Sequence, residues 1–231
     1  MWKDFLTESV FFGVFISFGA YELCALVKKK WNYAIFNPLL WAIVLIIIFL
    51  AVTGIDYEAY EDGTEFITYL LTPATVALAV PLYEQFEALK SNWKAILAGI
   101  FSGTLTSAVC VLVLCVVFGL GHEMYVTLLP KSITTAIGMG VSEELGGIVS
   151  ITVPVIVITG IFGNMVAEGA CKLFRITEPV AKGVAIGTSS HVAGTAKAME
   201  IGRVEGAMSS LSIAVSGLIT VVIASVFSMF Y

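Results

Sequence analysis

Apolar residues run along this chain in blocks long enough to cross a bilayer, whose hydrocarbon core of about 30 Å takes roughly 20 helical residues. The blocks lie at Ser9–Val27, Pro38–Ile55, Glu65–Phe86, Ala95–Leu120, Val149–Phe174, Ala181–Met199 and Gly206–Phe230. They predict an all-α polytopic membrane protein with seven transmembrane helices. One further stretch, Leu128–Gly147, has the length of a span but carries Lys131, Ser132, Thr134, Thr135, Glu143, Glu144 and four glycines. Its polarity predicts a re-entrant segment, which enters the bilayer and returns; eight full spans is the alternative.

Loop charge separates these two readings, because Lys and Arg concentrate in cytoplasmic loops. Lys28–Lys30 and the pair Lys90 and Lys94 mark two such loops, and the loop between them carries Asp56, Glu58, Glu61 and Asp62 without a base. The loop with Lys172, Arg175 and Lys182 falls on the cytoplasmic side only if Leu128–Gly147 returns to the side it came from. This places the N-terminus outside and the C-terminus inside. Spans two to four and spans five to seven then run in opposite directions, as in the inverted repeats of many secondary transporters. The expected organisation is a single transmembrane domain, 1–231, with repeat halves 38–120 and 149–230 joined by the re-entrant segment 128–147.

Composition agrees with lipid as the solvent. Hydrophobic residues make up 58% of the 231 and charged residues 13%, against about 25% charged in a soluble domain. The net charge of -5 comes with no basic block, so nucleic acid is not an expected partner. Cys24, Cys110, Cys115 and Cys171 all fall in apolar stretches and form no CxxC pair, which argues against a metal site or a disulfide framework. No cofactor is implied. Ala214-Val215-Ser216-Gly217 lacks the first glycine of a GxSG motif, and His191 precedes the serine, opposite to the rhomboid order. His122-Glu123 does not continue as HExxH, and no paired intramembrane aspartates exist. The chain is therefore not expected to be an enzyme.

The candidate chemistry sits where the apolar blocks are interrupted. Thr72-Pro73-Ala74-Thr75 lies in the middle of span three, Leu129-Pro130-Lys131-Ser132 in the re-entrant segment, and Ser189-Ser190-His191-Val192-Ala193-Gly194-Thr195 in span six. Proline suits the first turn of a helix, where its missing donor costs nothing. Thr72 reads as an N-cap before Pro73, with a half-helix over Ala74–Phe86. Pro130 would start a half-helix through Ile137, and Ser189 or Ser190 would cap the second half of span six. Each such start leaves free N–H groups and a positive dipole end inside the protein, which suits a bound carboxylate. Lys131 opposes the dipole of the helix it would begin, and makes sense beside an anion. His191 can donate a hydrogen bond to a substrate oxygen or carry a coupled proton. The candidate substrate-binding set is Thr72, Pro73, Ala74, Thr75, Pro130, Lys131, Ser132, Thr134, Thr135, Ser189, Ser190, His191, Gly194 and Thr195. Gly99/Gly103 and Gly183/Gly187 are small-xxx-small pairs that permit close helix contact.

Several of these segments together carry a resemblance. Leu128-Leu129-Pro130-Lys131-Ser132-Ile133-Thr134-Thr135, Glu144-Leu145-Gly146-Gly147, Gly187-Thr188-Ser189-Ser190-His191-Val192-Ala193-Gly194-Thr195-Ala196 and Glu205-Gly206-Ala207-Met208-Ser209-Ser210 resemble the motifs of the LrgB/CidB family. Pro73–Tyr83 is similar to that family's first-half motif. The resemblance implies one of two roles. One is transport of a small organic anion of the glycolate, glycerate or pyruvate class by alternating access, coupled to an ion, H+ or Na+, that the sequence does not identify. The other is a holin- or antiholin-like role in murein hydrolase activity and autolysis. It also implies a multi-pass protein of the bacterial cytoplasmic membrane, accompanied by a small LrgA/CidA-type membrane partner. A homo-oligomer is expected as well.

Overall fold

The computed structural model describes residues 9, 11–31, 36–77 and 79–231, with only the backbone described at Leu71, Thr72, Thr75 and Leu82. Its described residues up to Ala77 form one compact unit and those that follow form a second.

The first unit holds α1 (Phe12–Lys30), α2 (Pro38–Thr53), α3 (Tyr57–Asp62) and α4 (Glu65–Ala77). Asn37 starts α2 by accepting from the N–H groups of Leu39 and Leu40 at 3.0 and 3.1 Å, with Pro38 in the first turn; these donors have no partner within the helix. Gly54 ends it in the left-handed conformation, φ 60°. The α1 helix packs on α2 and α3, with Ser17 Oγ 2.7 Å from the Tyr60 hydroxyl and Gly13 backbone against Gly63. The break expected at Thr72–Thr75 is not there, because α4 runs through Pro73 to Ala77. One proline removes a single hydrogen bond, and a membrane helix tolerates that loss. Thr72 is therefore no N-cap and Pro73 no helix start.

The second unit holds α5 (Ala79–Glu84), α6 (Phe86–Phe118), α7 (His122–Leu128), α8 (Thr135–Glu144), α9 (Val149–Leu173), α10 (Pro179–Ile201) and α11 (Arg203–Phe227). Among the described residues α6, α9 and α11 are the helices long and apolar enough to cross a membrane, and α2 is a shorter apolar helix. At about 1.5 Å per residue, α7 and α8 are each far too short to span. Their chain doubles back: Ile148 N–H donates to Thr127 Oγ1 at 2.8 Å, and the Thr152 hydroxyl reaches Thr127 O and Ser142 Oγ at 3.0 and 2.7 Å. The stretch from 128 to 147 thus begins and ends at the same place. Pro130 lies in the turn after α7 rather than at a helix start, a common place for proline past a C-terminus. The next helix begins at Thr135, after Thr134 in extended conformation.

The interruption in span six is a reversal. His191 has φ 41° and ψ -135° inside α10, a region that costs any residue with a Cβ. A Cβ on Gly194 would lie 3.0 Å from Ile186 Cγ2, yet residues eight apart on a straight helix are about 12 Å apart. The arms 179–190 and 192–201 therefore lie side by side. They share one wall of α11: Gly183 abuts Glu205 and Met208, and Met199 abuts Gly206. This is a second helical hairpin, not a spanning helix.

Pairings along the helices fix the two ends of the unit. Gly99 and Gly103 of α6 meet Val184 and Thr188 of the first arm, and Gly183 and Gly187 meet Glu205 and Ser209, so α6, the first arm and α11 run parallel. Lys90, Lys94, Lys172, Arg175, Lys182, Lys197 and Arg203 gather at one end. The other end holds His122, Glu123, Glu143 and Glu144. The C-terminal residues also belong there, since the Tyr125 hydroxyl donates to Phe227 O at 2.9 Å and His122 Nδ1 meets Tyr231 O. The C-terminus, expected on the side of the basic loops, is at the opposite end, because span six turns back instead of crossing.

Glycine makes these contacts. A Cβ at Gly187 would sit 2.4 Å from Ser209 O, a backbone atom that cannot yield, whereas one at Gly169 on α9 meets nothing within 4 Å. Gly187→Leu is expected to prevent recovery of folded, monodisperse protein. Gly169→Ala is expected to hold or raise the melting temperature, as Ala favours a helix over Gly by up to about 1 kcal/mol. Thermal melting with size-exclusion profiles checks both.

Candidate functional site

The tips of the two hairpins face each other midway along α6. The first tip is the turn 129–134, and the second is the reversal around His191. Each ends one arm and begins another, so each is the N-terminus of a half-helix, α8 and the arm 192–201. Neither start has a side-chain cap among the described bonds. Ser189 Oγ donates instead to Ile186 O at 3.3 Å and lies 3.0 Å from Ser190 Oγ, so the expected capping by these serines does not occur.

The second tip is held by α9. Gly160 makes room for the His191 imidazole, whose Cε1 would be 2.5 Å from a Cβ there, and Gly163 makes room for Ser190. His191 Nε2 donates to Ile156 O at 3.0 Å, and Asn164 Nδ2 donates to Ala193 O at 2.7 Å. Thr195 Oγ1 donates to His191 O at 2.9 Å and lies 2.7 Å from Ser209 Oγ. These bonds fasten the reversal to α9 and α11. The outer part of the second arm is tied down by charge: Lys197 Nζ lies 2.7 Å from Glu168 Oε1 and 2.9 Å from Glu200 Oε2. The first tip is fixed where Gly138 meets Ile156 Cδ1, so Ile156 touches both tips.

Between α6, the first arm of α10 and the first tip lies a cavity of about 620 Å³. Its polar lining near the tips consists of Lys131, Ser132, Ser107, Thr188 and Ser189, with Thr106 and Cys110 on the α6 side. Lys131 Nζ donates to Ser132 Oγ at 3.0 Å, and Ser132 Oγ lies 3.0 Å from Ser107 Oγ. Among the described residues no carboxylate pairs with the Lys131 ammonium. Of the lysines and arginines of this unit it alone lies away from the basic end. Thr188 is 6% exposed, and its Oγ1 is the one buried side-chain polar atom without a hydrogen-bond partner among the described residues. A buried hydroxyl left unpaired costs about 1–3 kcal/mol. The cavity is thus offered an unmatched positive charge by Lys131, whereas the Thr188 hydroxyl is closed off from it by its burial.

Of the sequence candidates, Lys131, Ser132 and Ser189 line this cavity. Pro130, Thr134, Thr135, Ser190, His191, Gly194 and Thr195 build the two tips without lining it. Thr72, Pro73, Ala74 and Thr75 belong to the first unit. Pro73 and Ala74 are exposed there, and the side chains of Thr72 and Thr75 lie outside the described residues. Sequence reasoning missed Thr188 and the α6 face of Ser102, Gly103, Thr106 and Ser107. The signal was present in the small and hydroxylated residues that recur at helical spacing from Gly99 to Cys110. The α9 face of Ile156, Gly160, Gly163 and Asn164 gave no such signal.

The LrgB-like family model matches residues 17–230. Proteins called "Antiholin-like protein LrgB" from Bacillus mycoides, Bacillus cereus and Bacillus anthracis are each 37% identical over 225 residues, covering 97% of this chain and 98% of theirs. No solved structure matches the chain.

The strained conformation of His191 can be separated from its hydrogen bond. His191→Gly and His191→Ala both remove the donor to Ile156 O, but only glycine accepts φ 41° without cost. Both variants are expected to be less stable than wild type, with His191→Ala the worse by about 1 kcal/mol. Denaturation in detergent measures the order.

Proposed function

The chain belongs to the LrgB-like family, and on that premise we propose that it is a secondary transporter of small monocarboxylates of the glycolate, glycerate and pyruvate class. The observation that carries this reading is the cavity lined by the Lys131 ammonium, which meets no carboxylate among the described residues, and by Ser107, Ser132 and Ser189. A monocarboxylate supplies the negative charge that the ammonium lacks and oxygens that accept from the lining hydroxyls. Two half-helix N-termini at the same depth add partial positive charge. Transporters build midplane sites from discontinuous helices in this way.

The hairpins also support a revised topology for a bacterial plasma membrane protein. We take the basic end of the second unit as cytoplasmic. The first hairpin then opens outward, the second opens inward, and the C-terminus lies outside. Hairpin plus spanning helix occurs twice, over 122–173 and 179–227, in opposite directions. This is the inverted repeat we propose in place of the halves 38–120 and 149–230. Alternating access would then exchange which hairpin is covered. His191 serves this reading as a positioning residue, because its Nε2 is occupied by Ile156 O.

The names of the relatives favour a second reading, an antiholin-like membrane protein; the family resemblance links that role to murein hydrolase activity and autolysis. Uptake of labelled glycolate, glycerate and pyruvate into proteoliposomes containing this chain alone separates the two. Transport predicts saturable uptake. A carboxylate about 4 Å from an ammonium interacts by roughly 4 kcal/mol at an effective dielectric of about 20, and water recovers part of that. Lys131→Ala should therefore weaken apparent affinity on the order of 100-fold, and Ser132→Ala on the order of 10-fold. Unsaturable leak of an uncharged dye, unaffected by either substitution, would instead support a holin-like role within the second reading.

A further inference from the structure

The cavity is too large and too divided for a two- or three-carbon acid alone. Such an acid has at most about seven heavy atoms, each no larger than a water with its share of about 30 Å³. It would fill roughly a third of the 620 Å³. The charged and hydroxylated lining is concentrated at the hairpin tips. From the tips toward Asn92 and Glu178, the lining is Gly99, Ala95, Ile96, Val180, Ala181, Val184 and Ala185. Polar head contacts therefore give way to an apolar channel running along α6 and the first arm of α10 toward the basic end.

We propose that the cavity contains an apolar tail subsite, and that it binds amphipathic monocarboxylates with an unbranched chain of four to six carbons. The carboxylate sits at Lys131 and Ser132, and the tail lies between Ile96 and Val184. This rests on the carboxylate reading given above and extends its ligand class. One observation makes the occupant an anion rather than a neutral lipid tail: the tip end of the cavity carries the Lys131 ammonium, which donates to Ser132 Oγ and meets no carboxylate among the described residues.

A native thiol provides the test without requiring transport. Cys110 lines the cavity and is exposed, whereas Cys24, Cys115 and Cys171 are buried. The rate of Cys110 alkylation by a small maleimide in proteoliposomes, with acetate, butyrate or hexanoate present, reports occupancy at the tips. Burial of each methylene is worth about 0.8 kcal/mol, so the half-protecting concentration should fall two- to fourfold per added carbon. Neutral hexanamide should protect poorly, and Lys131→Ala should abolish protection by every acid. Ala185→Phe should remove the advantage of hexanoate over acetate.

Equal protection by acetate and hexanoate would overturn the tail subsite while leaving the carboxylate site standing; the apolar wall is then covered by lipid or by protein. Protection by hexanamide as strong as by hexanoate would also overturn the proposal, because the anion is then not what is recognised. No protection by any acid would overturn both the subsite and the transporter reading.

Discussion

In hydrocarbon a backbone N–H or C=O without a partner costs several kcal/mol, because no water is present to replace it. The second unit nevertheless stops two helical elements partway and turns them back. Everything else in it follows from how those ends are kept inside protein. Gly183 and Gly187 bring the first arm of α10 onto the backbone of α11, and Gly160 and Gly163 open α9 to the reversal at His191. Side chains then fasten the reversal to α9, His191 donating to Ile156 O and Asn164 to Ala193 O. Without close approach there would be no reversal. Without the reversal, the α6 hydroxyl face would have no partner wall.

The same arrangement accounts for charge. Bases collect at one end of the unit, acids dominate the other, and Lys131 stands apart from both. An ammonium held near hairpin tips among serine and threonine hydroxyls has hydrogen-bonding groups around it but no counter-charge. That leaves the ammonium uncompensated, which is the charge the proposed anion would neutralise. Thr188 packs its Cγ2 on Gly103, and its buried Oγ1 is left without a partner.

Hydropathy made the spanning helices legible, since α6, α9 and α11 all coincide with predicted blocks. Length and polarity together exposed the first hairpin. The second was legible only as an interruption. A reversal carried by a single residue with positive φ is usually signalled by glycine, and here the residue is histidine. Prolines misled in both directions. Pro73 sits inside a continuous helix, and Pro130 follows a helix end rather than beginning one. Position relative to neighbouring helices, which sequence does not encode locally, decided both. Lys131 was legible as a base in a polar break of an apolar chain, although the helix whose dipole it was expected to oppose starts only at Thr135, and Thr188 was not legible, because threonine is common in membrane helices.

The central claim is that the two hairpin tips face each other across an anion site. The direct measurement is cross-linking between Ser132→Cys and Ser189→Cys by a short bifunctional methanethiosulfonate, in a chain with Cys110→Ala and embedded in liposomes. The account predicts rapid intramolecular cross-linking that glycolate slows in a saturable way. Absence of cross-linking between two accessible thiols, each labelled readily by a monofunctional reagent, would contradict it.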